Sequence, residues 1–196
     1  MKENNIINNT SWAFNLDQIN TYAFWEDFLS KDECDKIIKI AKNQKIIKGK
    51  VFGNTKNVRK SNITWLYPNE ELDWLFRKIT DVVTNLNERF YKFDLYGIVE
   101  GLQFTNYKAP GGKYDKHVDR GFNRGIRKLS ISIQLTDSKE YEGGELKLYE
   151  ASTPTVMNKK QGTLILFPSF ILHEVTPVTK GERNSLVTWI TGKNFK

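Results

Sequence analysis

The sequence predicts a mainly β fold, an antiparallel sandwich or jelly roll with helices bracing one face. From residue 97 onwards, short alternating or apolar runs are separated by Gly, Pro and Asp, which is the pattern of strands joined by turns. No helix of useful length fits between these runs, so the crossovers that a parallel sheet needs are excluded. Two earlier stretches have helical periodicity. We therefore expect the strands to form the sheets and the helices to cover one of them.

Both predicted helices lie in the first half of the chain. Ser30 and Glu33 have the spacing of a capping box, and the apolar residues that follow recur at helical intervals, which predicts a helix over about 31–43. Pro68 opens a second stretch in which apolar residues fall on one face as far as Phe90. This stripe predicts a longer helix packed against a sheet.

The predicted strands form two groups. Three strands that extend the sheets are expected in the first half, around residues 22–28, 46–51 and 61–66. The second half contains six runs with strand character: GIVEGLQFTNY, RKLSISIQL, GELKLYE, GTLILF, ILHEVTPV and NSLVTWITG. Two segments rich in Gly, Asn and charged residues are predicted to be exposed loops: KVFGNTKNVRKS and DRGFNRGIRK.

Length, charge and cysteine content narrow the possible classes. A chain of 196 residues fits one domain, and we expect that domain to span 1–196. The net charge of +7 is spread along the chain and hints only weakly at an anionic partner. A single cysteine, Cys34, excludes an internal disulfide and a tetrathiolate metal site. Because we find neither a signal peptide nor a membrane-spanning apolar run, we expect a cytoplasmic protein without membrane association.

The chain has only two histidines, and one of them, His173, lies in a predicted strand. His117 stands two residues before Asp119, and His173 follows in the apolar run FPSFILHEV. Residues i and i+2 of an extended segment project to the same side, so His117 and Asp119 can hold one ion. Two histidines and one carboxylate bind non-haem Fe(II) and leave its other positions open. A histidine in an apolar strand can equally be a buried core residue, so other features must decide.

Polar side chains also share faces of two predicted strands. If NSLVTW is a strand, Arg183 directly before it shares a face with Ser185 and Val187, and a guanidinium beside a hydroxyl can bind a carboxylate. Gln103, Thr105 and Tyr107 likewise alternate with apolar residues in the strand before the His-x-Asp pair. This face lines either a polar cavity that a ligand occupies or a surface in contact with water.

The ordered blocks YKAPGGKYDKHVDR, LSISIQLTDSKEYEGGELKLY and GTLILFPSFILHEVTPVTKGERNSLVTWITG resemble the iron(II)- and 2-oxoglutarate-dependent dioxygenases of the prolyl 4-hydroxylase-like superfamily. The resemblance covers about residues 97–192. It implies a double-stranded β-helix, or jelly roll, as the catalytic core, with residues 1–96 as a helical and strand support region. It also implies Fe(II), 2-oxoglutarate and O2 as reactants, with ascorbate as a possible reductant.

The resemblance also implies roles for individual residues. His117, Asp119 and His173 would be the iron ligands and so the catalytic residues. Arg183 would bind the distal carboxylate of 2-oxoglutarate, helped by three residues of the polar faces: Tyr107, Ser185 and Gln103. Collagen-type members use a lysine for this carboxylate, so Lys180 is the alternative, although VTPVTKGER is similar to members that use arginine.

Several substrate classes remain open at this stage. The runs YEGGELKLY and GGKYDKHVD resemble the amino-acid hydroxylase branch, which implies hydroxylation of a prolyl or other residue in a peptide or protein. Asn106 beside Tyr107 and the positive charge keep a nucleic-acid demethylase of the AlkB type as an alternative. A hydroxylase of a free amino acid or small molecule and a non-catalytic jelly-roll protein are the others. The sequence gives no indication of an oligomeric state.

The two predicted loops carry basic residues that could face a substrate. Segments 52–60 and 120–127 are the expected lids, because an oxidising site must be closed over its substrate. Their basic residues favour an acidic peptide or a phosphate backbone at the site entrance, and ordinary surface solubilisation is the alternative. The proposed substrate-facing residues are Lys56, Arg59, Arg120 and Arg124. Arg59 could instead hold structure together with Ser61.

Overall fold

The computed structural model describes residues 19–49, 57–119 and 126–194. Its helices are α1 (Lys31–Lys42) and α2 (Asp73–Leu86), with a π-helical turn at Asn87–Tyr91 and a 3-10 turn at Ser138–Glu140. Its strands are β1 (Ala23–Trp25), β2 (Ile47–Lys48), β3 (Arg59–Lys60), β4 (Asn62–Leu66), β5 (Leu95–Ile98), β6 (Leu102–Lys108), β7 (Gly112–His117), β8 (Ile126–Gln134), β9 (Tyr141–Gly143), β10 (Leu146–Tyr149), β11 (Thr155–Val156), β12 (Leu164–Pro168) and β13 (Leu172–Gly192).

Both predicted helices are present, but the second begins and ends at other residues than the sequence predicts. The predicted capping box opens α1, with reciprocal backbone and side-chain hydrogen bonds between Ser30 and Glu33. Helix α2 begins at Asp73 rather than near Pro68, because Asn69 forms a turn in which its side chain accepts from the Leu72 amide. The π-helical turn follows α2 directly and contains the last residues of the predicted helix, up to Phe90.

The strands pair in an antiparallel manner throughout the described part of the chain, as the lack of crossover helices predicted. The major sheet has the order β1-β12-β8-β13-β6-β4-β2, and β5 also pairs with β13. A smaller set of strands, β3, β7, β9, β10 and β11, assembles around the first half of β13. This is the mainly β, jelly-roll architecture that the sequence led us to expect.

Strand β13 connects the two sheets and corrects one prediction. The sequence predicts two separate strands here, but Leu172–Gly192 is one continuous strand of 21 residues. Its first half pairs with β7, β9 and β10, and its second half pairs with β5, β6 and β8. Gly181 lies between the halves at φ 72°, where an added Cβ would be 2.1 Å from the Glu140 carbonyl oxygen. The turn signal in the sequence therefore marks a bend, not an interruption.

Two segments predicted as loops are partly strands. Arg59 and Lys60 pair with Tyr114 and Lys113 of β7, and β8 already begins at Ile126. Strand β7 itself was not among the predicted strands. The pairing partners lie far away in sequence, so local composition, which here is polar and glycine-rich, does not reveal them.

The core consists of two clusters on opposite faces of the major sheet. The larger contains the buried faces of both helices and side chains such as Phe104, Ile131 and Leu166. The smaller fills the space between the two sheets and includes Tyr107 and Phe167. Because successive side chains of a strand point to opposite faces, those on one face of the major sheet pack against the helices and those on the other face lie between the two sheets. None of the helices in the described ranges is long and apolar enough to cross a membrane.

Candidate metal centre

Two histidines and an aspartate converge between the sheets. His117 ends β7 directly opposite His173 of β13 in the strand register, and Asp119 follows two residues after His117. The Asp119 carboxylate lies 3.7 Å from His117 Nε2 and 3.4 Å from His173 Nε2. One ligand atom from each residue lies within 4.8 Å of the others. The spacing is that of three groups around one ion.

Backbone hydrogen bonds fix both imidazole rings in the orientation that a metal requires. His117 Nδ1 lies 2.7 Å from the Asp115 carbonyl oxygen, and His173 Nδ1 lies 2.9 Å from that of Ile171. A carbonyl oxygen only accepts, so Nδ1 of each ring carries the proton and donates it. Each Nε2 then presents its lone pair toward the Asp119 carboxylate, which is the arrangement of a metal-binding histidine.

Asp119 is held in place from several directions. Ser130 Oγ donates to its carboxylate at 2.8 Å and lies 2.9 Å from Ser169 Oγ. The Asp119 amide donates to the Ser169 carbonyl, and Arg127 donates to the Asp119 carbonyl at 3.2 Å. Arg127 is itself fixed by two 2.6 Å hydrogen bonds to the carboxylate of Glu100. These contacts orient the carboxylate before any ion binds.

The protonation states match a site for a cation. Burial and, to a lesser extent, the neighbouring His173 lower the pKa of His117 to about 4. Burial opposes ionisation of Asp119, but the two imidazoles hold the pKa of its carboxyl well below its usual value. Burial also opposes the charge on His173, yet the Asp119 carboxylate raises the pKa of that ring. A buried carboxylate therefore stays ionised beside the rings, and a divalent cation would neutralise it.

Aromatic rings enclose the cluster. The Tyr114 ring stacks on His117 with centroids 3.5 Å apart, and Phe167 meets His173 edge-on at 4.9 Å. The guanidinium of Arg59 lies 4.6 Å from the centroid of Tyr114 on the side of β3. These rings restrict the imidazoles to one orientation and keep water from their sides.

A buried arginine lies between the same two sheets. Arg183 is 1% exposed, and it donates to Gln134 at 2.9 Å and to Ser185 at 3.3 Å. Its guanidinium carbon lies 5.4 Å from the centroid of the Tyr107 ring. Its Nε has no hydrogen-bond partner among the described residues. A buried cation with an unused donor is suited to a carboxylate ligand.

The alternative residue, Lys180, lies elsewhere. Its side chain is 77% exposed, and its Nζ lies 3.2 Å from Glu142 on the surface. Gln103 faces the space between the sheets, as its position in β6 predicted, but its amide oxygen accepts from Arg59 at 2.7 Å and from Thr105 at 3.3 Å. These hydrogen bonds connect Gln103 to Arg59 rather than to Arg183.

Comparison with known proteins agrees with this geometry. A family model described as the 2OG-Fe(II) oxygenase superfamily matches residues 102–191. The PKHD-type hydroxylase of Aliarcobacter butzleri is 30% identical over 171 residues, which cover 84% of this chain and 75% of that protein. A PKHD-type hydroxylase of Prochlorococcus marinus is 30% identical over 169 residues, covering 76% of each chain. The chain belongs to the 2-oxoglutarate- and iron(II)-dependent oxygenases of the prolyl 4-hydroxylase-like superfamily.

Solved structures share the fold of this oxygenase. A prolyl 4-hydroxylase of Pseudomonas putida superposes with a TM-score of 0.72 at 21% identity, covering 89% of this chain and 94% of that one. A viral collagen prolyl hydroxylase of Paramecium Bursaria Chlorella virus-1, solved with 2-oxoglutarate, gives 0.68 at 26% identity, covering 87% and 96%. The oxygenase is thus an enzyme that uses Fe(II), 2-oxoglutarate and O2.

The predicted substrate-facing residues are only partly visible. Lys56, Arg120 and Arg124 lie outside the described residues of the oxygenase. Arg59 is described, and besides Gln103 it donates to Ser61 at 2.8 Å. This contact matches the alternative prediction that Arg59 holds structure together with Ser61.

Sequence reasoning missed three residues that touch the centre of the oxygenase. Gln134 binds Arg183, Ser130 binds Asp119, and Tyr114 stacks on His117. The alternation in LSISIQL was a usable signal, because it places Ser130 and Gln134 on the face of β8 opposite its buried isoleucines. Tyr114 carried no such signal, since β7 was not predicted as a strand.

Proposed function

We propose that this oxygenase hydroxylates an unactivated C–H bond of a prolyl or other amino-acid residue in a peptide or protein, with decarboxylation of 2-oxoglutarate to succinate. The observation that carries the proposal is the buried His–Asp–His cluster between the sheets that also bury Arg183 with an unused donor. We further propose the cytoplasm as its compartment, because its one cysteine is buried and unpaired.

We assign His117, Asp119 and His173 as the iron ligands. Two neutral imidazoles and one carboxylate leave three positions of an octahedral ion for the cosubstrate and oxygen. Fe(II) held by these residues would activate O2, which is the oxidant: one oxygen atom would enter succinate as 2-oxoglutarate loses carbon dioxide, and the other would enter the substrate C–H bond. The donor set fits this ion, because both Nε2 atoms and the carboxylate already point toward one another.

We assign Arg183 as the residue that binds the distal carboxylate of 2-oxoglutarate. Burial makes the charge pair strong, and the contacts to Gln134 and Ser185 aim the guanidinium before the ligand arrives. Tyr107 lines the same pocket, and we assign it and Ser185 as supporting residues. Gln103 accepts a hydrogen bond from Arg59, so we assign it an indirect supporting role. Ascorbate as reductant stays a prediction.

The preference for a peptide rests on relatives. A prolyl hydroxylase of Trichoplax adhaerens, solved with a peptide of the hypoxia inducible factor oxygen degradation domain, shares the fold with a TM-score of 0.74 at 19% identity, covering 88% of this chain and 84% of that one. We propose that a peptide lies across the open end of the jelly roll formed by residues 97–192. The basic segments 52–60 and 120–127 would contact it.

One feature that favoured a nucleic-acid substrate has another explanation. Asn106 lies on the face of β6 opposite Tyr107, where it donates to Glu182 and, at 2.7 Å, to Asn184. The adjacent Asn–Tyr pair therefore does not present both side chains to the metal cluster. This observation favours the peptide over the nucleic acid as substrate.

The test combines ligand binding with a substrate screen. Fe(II) and 2-oxoglutarate, added without oxygen, should give a weak visible charge-transfer band. Succinate release is then measured with peptides, free amino acids and methylated oligonucleotides, in the presence and absence of ascorbate. We expect release with peptides and a product heavier by one oxygen atom.

Variants make the assignment specific. Asp119→Ala should lose the band and succinate formation, whereas Asp73→Ala, which changes an exposed carboxylate on α2, should keep both. Release that only oligonucleotides stimulate would contradict the peptide proposal. Hydrolysis by the zinc-loaded protein, with no turnover by iron and 2-oxoglutarate, would contradict the assigned reaction.

A further inference from the structure

A second unpartnered polar group lies beside Arg183. Tyr141 opens β9 opposite Gly181 of β13, and its side chain is 3% exposed. Its hydroxyl has no hydrogen-bond partner among the described residues, as is also true of Arg183 Nε. The nearby Arg183 guanidinium interacts with the phenol but can only donate, so the hydroxyl proton of Tyr141 lacks an acceptor among the described residues.

Glycine allows the two side chains to lie side by side. A Cβ added to Gly144 would lie 3.0 Å from Arg183 Cδ and 3.4 Å from Tyr141 Cε2. Gly144 also has φ 60°, a conformation that other residues rarely adopt. The turn after β9 is thus shaped so that the phenol and the guanidinium border one space.

The charge around Tyr141 also suits an anion. Lys159 Nζ lies 4.2 Å from the centroid of its ring, and Arg183 of β13 is near enough to act on the phenol. Burial raises the pKa of the phenol, although the nearby Arg183 acts in the opposite direction. The hydroxyl therefore keeps its proton at neutral pH and can donate it to an acceptor.

We propose that the Tyr141 hydroxyl donates a hydrogen bond to the distal carboxylate of 2-oxoglutarate, next to Arg183 Nε. A carboxylate has two oxygens and can accept from both groups at once. This inference rests on the proposed role of Arg183 and adds a second residue that selects for a dicarboxylate. Tyr141 is thereby a cosubstrate-binding residue that the sequence analysis did not single out.

The test replaces Tyr141 by phenylalanine, which removes only the hydroxyl oxygen. In Tyr141→Phe, the dissociation constant for 2-oxoglutarate should rise about tenfold or more, because a buried hydrogen bond to a charged group is lost. Binding is measured on the anaerobic Fe(II) protein by the charge-transfer band and on the Mn(II) protein by calorimetry. Binding of 2-oxobutyrate, which lacks the distal carboxylate, should not change, and neither should metal affinity.

Tyr91→Phe is the matched control. Tyr91 is equally buried, but its hydroxyl already donates to the Leu166 carbonyl at 3.0 Å in the larger core cluster. This variant should lower the melting temperature and leave 2-oxoglutarate binding unchanged. In Arg183→Gln, adding Tyr141→Phe should weaken 2-oxoglutarate binding by much less than it does in the wild type, since both residues hold the same group.

The outcomes separate this inference from the proposed function. If the wild type binds 2-oxoglutarate and Tyr141→Phe binds it equally well, the role of Tyr141 is refuted while the oxygenase assignment stands. Equal weakening of 2-oxoglutarate and 2-oxobutyrate would also refute it, because the effect would then be structural. A wild-type protein that binds iron but no 2-oxoglutarate would overturn the proposed function itself.

Discussion

Replacing Arg183 by glutamine gives the most direct test of the proposed cosubstrate site. The guanidinium is almost fully buried, so its pairing with a carboxylate is little weakened by water or salt. A charge-assisted hydrogen bond in such a place contributes about 1.5–3 kcal/mol, so loss of the guanidinium should cost about 2 kcal/mol or more. The dissociation constant for 2-oxoglutarate should therefore rise by about thirtyfold or more. Arg183→Lys should recover only part of this loss, because lysine lacks the planar fork.

The assay is a titration of 2-oxoglutarate into the anaerobic Fe(II) protein, supported by the 2-oxoglutarate dependence of succinate release. Lys180→Gln is the control, since it removes a positive charge three residues away that faces solvent and Glu142. We expect the control to bind 2-oxoglutarate like the wild type. Unchanged binding by Arg183→Gln together with a loss in Lys180→Gln would refute the reasoning and transfer the carboxylate site to Lys180.

Three further predictions concern the hydrogen bond from Ser130 to the metal centre, the backbone conformation of Gly162 and the thiol of Cys34. Ser130→Ala should weaken Fe(II) binding about 10- to 100-fold, because the Asp119 carboxylate loses a hydrogen bond that orients it. The control Ser132→Ala, on the same face of β8, should bind Fe(II) like the wild type. Equal Fe(II) affinities of the two variants in a metal titration would contradict this prediction. Gly162→Ala should lower unfolding free energy by about 2 kcal/mol or more, since its Cβ would lie 2.0 Å from a carbonyl oxygen at φ 80°. Burial raises the pKa of Cys34 to about 12, so the thiol of the folded protein should resist iodoacetamide at pH 8.5. Because the unfolded thiol ionises at about pH 8.5 and the folded one does not, the free energy of unfolding should fall as the pH rises above about 8.5. Fast labelling of native protein would show that the thiol is accessible.

The periodic parts of the fold could be predicted from the sequence. Alternation in β6 and β8 identified strands with one apolar and one polar face, a continuous apolar run identified β12, and the capping box located the start of α1. The same alternation placed Gln103, Tyr107 and Arg183 in the space between the sheets. The scarcity of histidine made His117 and His173 candidate metal ligands, and the structure brings them together with Asp119.

Features that depend on distant pairing could not be predicted. Strand β3 exists because Arg59 and Lys60 find hydrogen-bond partners in β7, more than fifty residues later. Tyr141 and Gln134 acquire a role only because β9 and β8 lie against β13 on either side of Arg183. Composition does not encode such neighbours, since a polar residue in a strand can face water as well as a buried pocket.

The architecture also places the proposed metal ligand His173 and the proposed carboxylate-binding Arg183 on one strand, ten residues apart. His173 and Arg183 would be about 33 Å apart on a straight strand, far more than the length of 2-oxoglutarate. Their pairing partners repeat this separation, because His117 lies opposite His173 and Tyr107 lies opposite Arg183. The paired segments β6–β7 and β13 stay hydrogen-bonded between these positions, from the Ala109 amide to the Gly181 carbonyl and from the Gly111 amide to the Val178 carbonyl. On each segment a glycine at positive φ, Gly111 or Gly181, lies between the two positions. Each segment therefore contributes one residue to the metal cluster and one to the proposed carboxylate site.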